Sequence, residues 1–211
     1  MAEATGCSQF FTWPTVRRGP SHRFAQRLVD HFFSTQGLFF HCLVVETAIV
    51  DLARHGGDLD LARRKHFTML LANKIKAIIR RRGVDQEFRV WVAPIPSRYA
   101  RAAEAIEVIS GNIIAECSGK PPRLSLSVRS SAQTPAIQLC DLLLGAVINA
   151  WNRDASNPAK LMLEQQIAGQ LGWPDLRGDT GPKQKKFNVW KFHDPLRQPV
   201  RPAITRPTKF D

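Results

Sequence analysis

Between residues 38 and 152 the chain switches repeatedly from a short β-branched or alternating run to a longer stretch of helical periodicity, and this order narrows the available folds more than any other feature. Residues 38–50 are apolar and β-branched without polar alternation, which predicts a strand buried on both faces. Residues 87–93 predict a second strand, closed by Pro94-Ile95-Pro96, and residues 124–128 a third. Between the first two, Leu61, Phe67, Leu70, Leu71, Ile75, Ile78 and Ile79 keep helical spacing, with Asp58 or Asp60 as N-cap and Gly83 as the stop after Arg82. Ser97 predicts the cap of a helix reaching Cys117, and Pro135 the first turn of a helix reaching Asn152. Strands joined by helices pair in parallel, so the expected class is α/β: a largely parallel central sheet with flanking helices.

Outside that core, Phe24, Leu28, Val29, Phe32 and Phe33 predict a helix over 21–33 with Ser21 as N-cap, and another helix spans 158–171 before Gly172. Residues 187–192 alternate and predict a docked strand or extended arm. The expected organisation is an irregular segment at 1–19, with room for an edge strand over 8–16, then one α/β domain at 20–192, then an extended or disordered basic tail at 193–211.

The helix from Pro135 holds one carboxylate among apolar residues, Asp141, with Gln138 one turn before it on the same face. An ionised carboxylate in such surroundings costs several kcal/mol unless paired, hydrogen-bonded or bound to a cation. Asp141 is therefore either a functional ligand or a satisfied structural acid. Asn149 follows at helical spacing and is a candidate neutral neighbour, with helix surface as the alternative.

Charge points to a partner class. Thirty Lys and Arg against eighteen Asp and Glu give a net charge of +12, for which a polyanion, most commonly DNA or RNA, is the natural partner. Arg63, Arg64, Lys65, Lys74, Lys76, Arg80, Arg81 and Arg82 fall in one helix with no interleaved acid, whereas a merely solvated helix usually mixes signs. Lys183, Lys185 and Lys186 lead into Phe187, Trp190 and Phe192, a layout for backbone contacts and base stacking or for aromatics packed on the sheet.

Cys7, Cys42, Cys117 and Cys140 are scattered without zinc spacing; Cys42 and Cys140 lie in apolar runs and read as small core residues suited to a reducing cytoplasm. No run reaches the length of a membrane span, and no signal layout opens the chain, so a cytoplasmic protein without a membrane partner is expected.

Four segments together resemble a bacterial family known as domain of unknown function 3800, whose members are ribonuclease H-like. They are Phe40-His41-Cys42-Leu43-Val44-Val45, the serine-rich approach with Ile137 to Ala146, Lys186-Phe187-Asn188-Val189-Trp190, and the segment 10–16 with Trp13. The resemblance implies a ribonuclease H-like layered fold and carboxylates holding Mg2+ or Mn2+ for phosphodiester cleavage, with Asp141 as the late-helix acid. It also implies a role in mobile elements or phage defence.

The family's Asp-Glu-Ser-Gly strand has no counterpart here, and its Glu-x-Lys-Trp appears as Phe10-Phe11-Thr12-Trp13. Glu46 is the best second carboxylate and Asp51 the next, with ordinary strand-end charges as the alternative. One matched acid does not hold two metals. The expected function is thus a nucleic-acid-binding domain of this type, catalytically degenerate or truncated at its N-terminal strands. The alternatives are an active Mg2+- or Mn2+-dependent nuclease using Asp141, and a module that meets an acidic protein partner.

Overall fold

Local sequence sets the helix ends in the computed structural model, which describes residues 11–154, 156–180, 184–194 and 206–210. The elements are α1 (Pro20–Ser34), β1 (Phe40–Val44), α2 (Leu59–Arg82), β2 (Glu87–Val92), α3 (Ala102–Ser118), β3 (Arg123–Val128), α4 (Pro135–Asn152), α5 (Pro158–Leu171) and β4 (Phe187–Lys191). Asp58 caps α2 by accepting the Asp60 N–H at 2.9 Å, and Asn157 caps α5 by accepting the Ala159 N–H at 3.0 Å.

The α/β class holds, with parallel strands, but the strands do not join in one central sheet. β1 pairs with β4 and β2 with β3, giving two separate parallel pairs. The span read as one domain contains two compact units, one of Met1–Val44 with Ser131–Asp211 and the other of Val45–Ser130.

In the first unit, α1, α4 and α5 pack on one another through Val29, Phe32, Leu142, Leu143, Val147, Leu163, Ile167 and Leu171, all buried. Each such side chain contributes roughly 1.5–3 kcal/mol of burial. The β1–β4 register sets Phe40 beside Phe187 and Cys42 beside Val189, again all buried. Phe187 is the hub: its ring centroid lies 4.8 Å from Phe40, 6.2 Å from Phe33 and 6.3 Å from both Phe32 and Trp173. β1 is shorter than the expected run over 38–50, because Thr47–Ile49 turn into a short 3-10 helix after Glu46.

Other local expectations are corrected in the same unit. Gly19, not Ser21, occupies the N-cap of α1; it has φ 98°, while the Ser21 hydroxyl donates back to the Arg17 carbonyl at 2.9 Å. Trp13–Thr15 form a 3-10 turn where an edge strand was expected, since Pro14 removes a ladder donor; residues 8–10 lie outside the described residues. Cys42 is buried and its thiol is pushed up to about 12 by desolvation and by Cys140 nearby, but Cys140 itself is exposed on α4.

The C-terminal residues 206–210, expected as part of a loose tail, are held against the first unit. The Arg206 guanidinium donates to the Asp175 carboxylate at 2.8 Å, and Trp173 Nε1–H donates to the Pro207 carbonyl at 2.8 Å. Phe210 stacks on Phe33 at 5.5 Å. Aromatic and charged partners supplied by the rest of the unit replace the apolar groups the segment itself lacks.

The second unit is two layers. Ala72 and Ile75 of α2 and Ile114 of α3 form a small core with Phe88 of β2 and Leu124 of β3. One face of the β2–β3 pair thus meets the helices, and alternation turns Glu87, Arg89 and Trp91 of β2 and Arg123, Ser125 and Ser127 of β3 the other way. Ser97 does not cap α3, whose N-cap is Arg101; its hydroxyl donates to Asp60 at 2.8 Å instead. The Tyr99 hydroxyl, foremost, and the Arg98 guanidinium hold the Asp58 carboxyl down to about 2.

Candidate nucleic-acid interface

α2 is straight helical sequence from its Asp58 cap to a last turn of three arginines, and helix geometry decides where its cations point. Residues 63, 74 and 81 recur on one side at intervals of 11 and 7, so Arg63, Lys74 and Arg81 form a row about 27 Å long. Arg63, Arg80, Arg81 and Arg82 are exposed, and among the described residues none of them pairs with a carboxylate. The only acid within α2 is Asp60, in the first turn.

The other cations of the helix are partly engaged. Arg64 lies over the Tyr99 ring at 4.2 Å, and Lys65 Nζ donates to the Arg54 carbonyl at 3.3 Å. Lys74 is half-buried, and desolvation lowers its pKa. The exposed charge is thus concentrated at the two ends, most densely at Arg80–Arg82, where cations also complement the helix C-terminus.

The lysines before β4 divide. Lys183 lies outside the described residues, and Lys185 is exposed. Lys186 is buried and turned inward: its ammonium donates to the Phe32 carbonyl, to that of Thr35 at 2.6 Å and to that of Leu38 at 3.0 Å, and sits 4.3 Å from the Phe32 ring centroid. It satisfies carbonyls at and beyond the end of α1, which an α-helix leaves without internal donors. Lys186 is therefore not placed to contact a phosphate.

Asp141 is half-buried and engaged by the backbone of a distant segment. Its Oδ2 accepts the backbone N–H of Trp13 at 2.7 Å, a pairing across 128 residues. One turn on, Gly145 faces the same tryptophan: a Cβ there would stand 2.1 Å from Trp13 Cγ. Gln138 Nε2 donates to the Ser131 carbonyl at 2.8 Å and so ties α4 to the turn before it. Asn149, which is buried, donates to the Asp154 carbonyl and to Glu164 Oε2, both at 2.9 Å, joining α4 to α5.

Glu46 belongs to the second unit, where it is exposed and precedes the Thr47–Ile49 turn, whereas Asp141 belongs to the first. Asp51 caps the next 3-10 turn through the Ala53 N–H at 3.2 Å. Among the described residues no group of three or more His, Cys, Asp or Glu side chains is assembled that could hold a metal. The donors assembled among the described residues do not make up a two-metal centre.

Two features were not read from the sequence. The tie from Trp13 to Asp141 escaped because a backbone N–H carries no residue signature; the glycine one turn after the acid was the available signal. The outward face of β2, with Trp91 between Arg89 and the strand end, was signalled by the polar and apolar alternation of residues 87–92. No helix among the described residues is long and apolar enough to cross a membrane. Comparison of the chain with family models, with curated proteins and with solved structures gave no match.

Proposed function

We propose that this protein binds nucleic acid through the basic face and C-terminal end of α2, and that it does so without cutting the strand. The observation that carries this reading is the exposed Arg63 and Arg80–Arg82, on a helix with a single acid and with no carboxylate partner for them among the described residues. Such a row neutralises phosphates without reading sequence, so affinity falls steeply as salt rises. The engagement of Asp141 with Trp13 supports a binding role over cleavage. Descent from a ribonuclease H-like nuclease belongs to the same proposal and rests on the Gln138-x-x-Asp141 helix and its sequence context alone.

The test is a titration of labelled single- and double-stranded DNA and RNA by the full chain over a range of salt, with Mg2+, Mn2+ or EDTA, scored for both binding and cleavage. Salt-sensitive binding with intact strands is the expected result. Metal-dependent cutting would replace this reading with a nuclease. No binding at low salt would replace it with an acidic protein partner for the same helix.

A further inference from the structure

The outward face of the β2–β3 pair carries a group that no packing explains. Trp91 is 51% exposed, although a tryptophan has the largest apolar surface of any side chain to hide. Its neighbours leave it standing clear. The residue beside it in the register is Ser127, followed back along β3 by Ser125 and Arg123; along β2 it follows Arg89. The ladder continues past Ser127, since the Arg129 N–H donates to the Val92 carbonyl at 2.8 Å, so alternation sets Arg129 on the same side, diagonal to Trp91.

The face therefore presents one exposed indole with Arg89 and Arg129 nearest it in the register and Arg123 farther back beside Glu87; Arg89 meets Glu87 at 2.7 Å, and the Arg123 guanidinium also donates to the Asp85 carbonyl. Serines beside an exposed ring keep the surface flat and offer hydroxyls. A flat aromatic platform edged by guanidinium groups suits unpaired bases, which stack on the ring while their phosphates meet the cations. A duplex has its bases stacked on one another and cannot offer them to such a surface. The loop 83–86 leads from Arg80–Arg82 into β2 at Glu87, so the basic helix end and the platform belong to the same unit, with Trp91 about 13 Å along the strand from that entry.

We infer that the β2–β3 face is a stacking site for single-stranded nucleic acid, with Trp91 as the platform and Arg89, Arg123 and Arg129 as its phosphate contacts. The inference rests on the proposed nucleic-acid binding and narrows it to unpaired strands.

The experiment measures anisotropy of labelled oligo(dT) and oligo(U) of about twelve nucleotides, and of a duplex of equal length, with wild type, Trp91→Ala, Trp91→Phe and the Arg80/Arg81/Arg82→Ala variant. Trp91→Ala is expected to weaken single-strand binding about 5- to 100-fold and leave duplex binding unchanged, with Trp91→Phe recovering most of the loss. The DNA and RNA arms show which strand is preferred. In wild type, photo-crosslinks from 4-thiouracil-containing strands are expected on β2 or β3, a readout independent of any variant's folding.

Single-strand affinity of a folded Trp91→Ala variant within about twofold of wild type would overturn the stacking site, as would crosslinks confined to α2; the basic-face reading would survive both, provided the triple arginine variant loses binding. Absence of any binding by wild type would overturn both readings together.

Discussion

Trp13 is fastened to Asp141 by its backbone and to Gly145 by its ring: the carboxylate takes the N–H at 2.7 Å, and the missing Cβ one turn later leaves room for the indole. Acid and glycine act as one socket on α4. Lys160 completes it, with Nζ 5.2 Å from the ring centroid.

The socket predicts that Gly145→Ala destabilises the fold by about 1–3 kcal/mol, because a Cβ there would have to displace Trp13, and that Asp141→Ala costs about 1–3 kcal/mol through the lost charge-assisted bond. Urea denaturation measures both. The double variant should cost less than the sum, since either change already frees Trp13. Mg2+ should leave the midpoints of wild type and Asp141→Asn unchanged; a metal-dependent stabilisation lost in Asp141→Asn would mean that the acid is a ligand after all.

Lys186→Met should cost about 2–4 kcal/mol, since it removes the ammonium donor shared by one buried and two part-buried carbonyls, while leaving nucleic-acid affinity as in wild type. A variant of normal stability but reduced affinity would move Lys186 back among the phosphate contacts.

Asp175 is expected to set part of the acid limb of stability. Desolvation pushes its carboxyl up, but the Arg177 N–H and guanidinium and the Arg206 guanidinium outweigh this and hold it at about 2, against 3.8 when free. A carboxyl lowered on folding adds stability that is fully present above the free value and is lost as pH falls through about 2. The shift corresponds to about 2 kcal/mol. Asp175→Asn should flatten the loss of stability expected of wild type between pH 4 and 2, as followed by thermal unfolding across that range. An unchanged acid limb would show that other carboxylates set it.

Replacing Arg80, Arg81 and Arg82 by alanine should reduce the slope of log affinity against log salt by about 2–3 and weaken binding alike for every sequence tried. A loss confined to particular sequences would mean that these arginines read bases.

What the sequence revealed followed the reach of each interaction. The ends of α2, the start of α4 and the end of α5 were legible because Asp58, Gly83, Pro135 and Gly172 act within a few residues of themselves. The partners of β1 were not, because Phe40 meets Phe187 through a register that no local pattern encodes. At the candidate site, Asp141 announced that it needed a partner, but not which one. Lys186 and Lys185 look alike in the sequence, and only the closing of β4 over the end of α1 sends one inward and leaves the other in solvent.

The pairing of β1 with β4 also sets an order of events during synthesis. Every strand and helix of the Val45–Ser130 unit finds its partners within that stretch, so it can fold as soon as it leaves the ribosome. β1 emerges before that unit yet waits for Phe187–Lys191, far downstream, with Phe40 and Cys42 uncovered meanwhile. A ribosome stalled before β4 would therefore release a chain whose Val45–Ser130 unit is finished while its larger core is still open, and that half-made product is the form most exposed to aggregation and proteolysis.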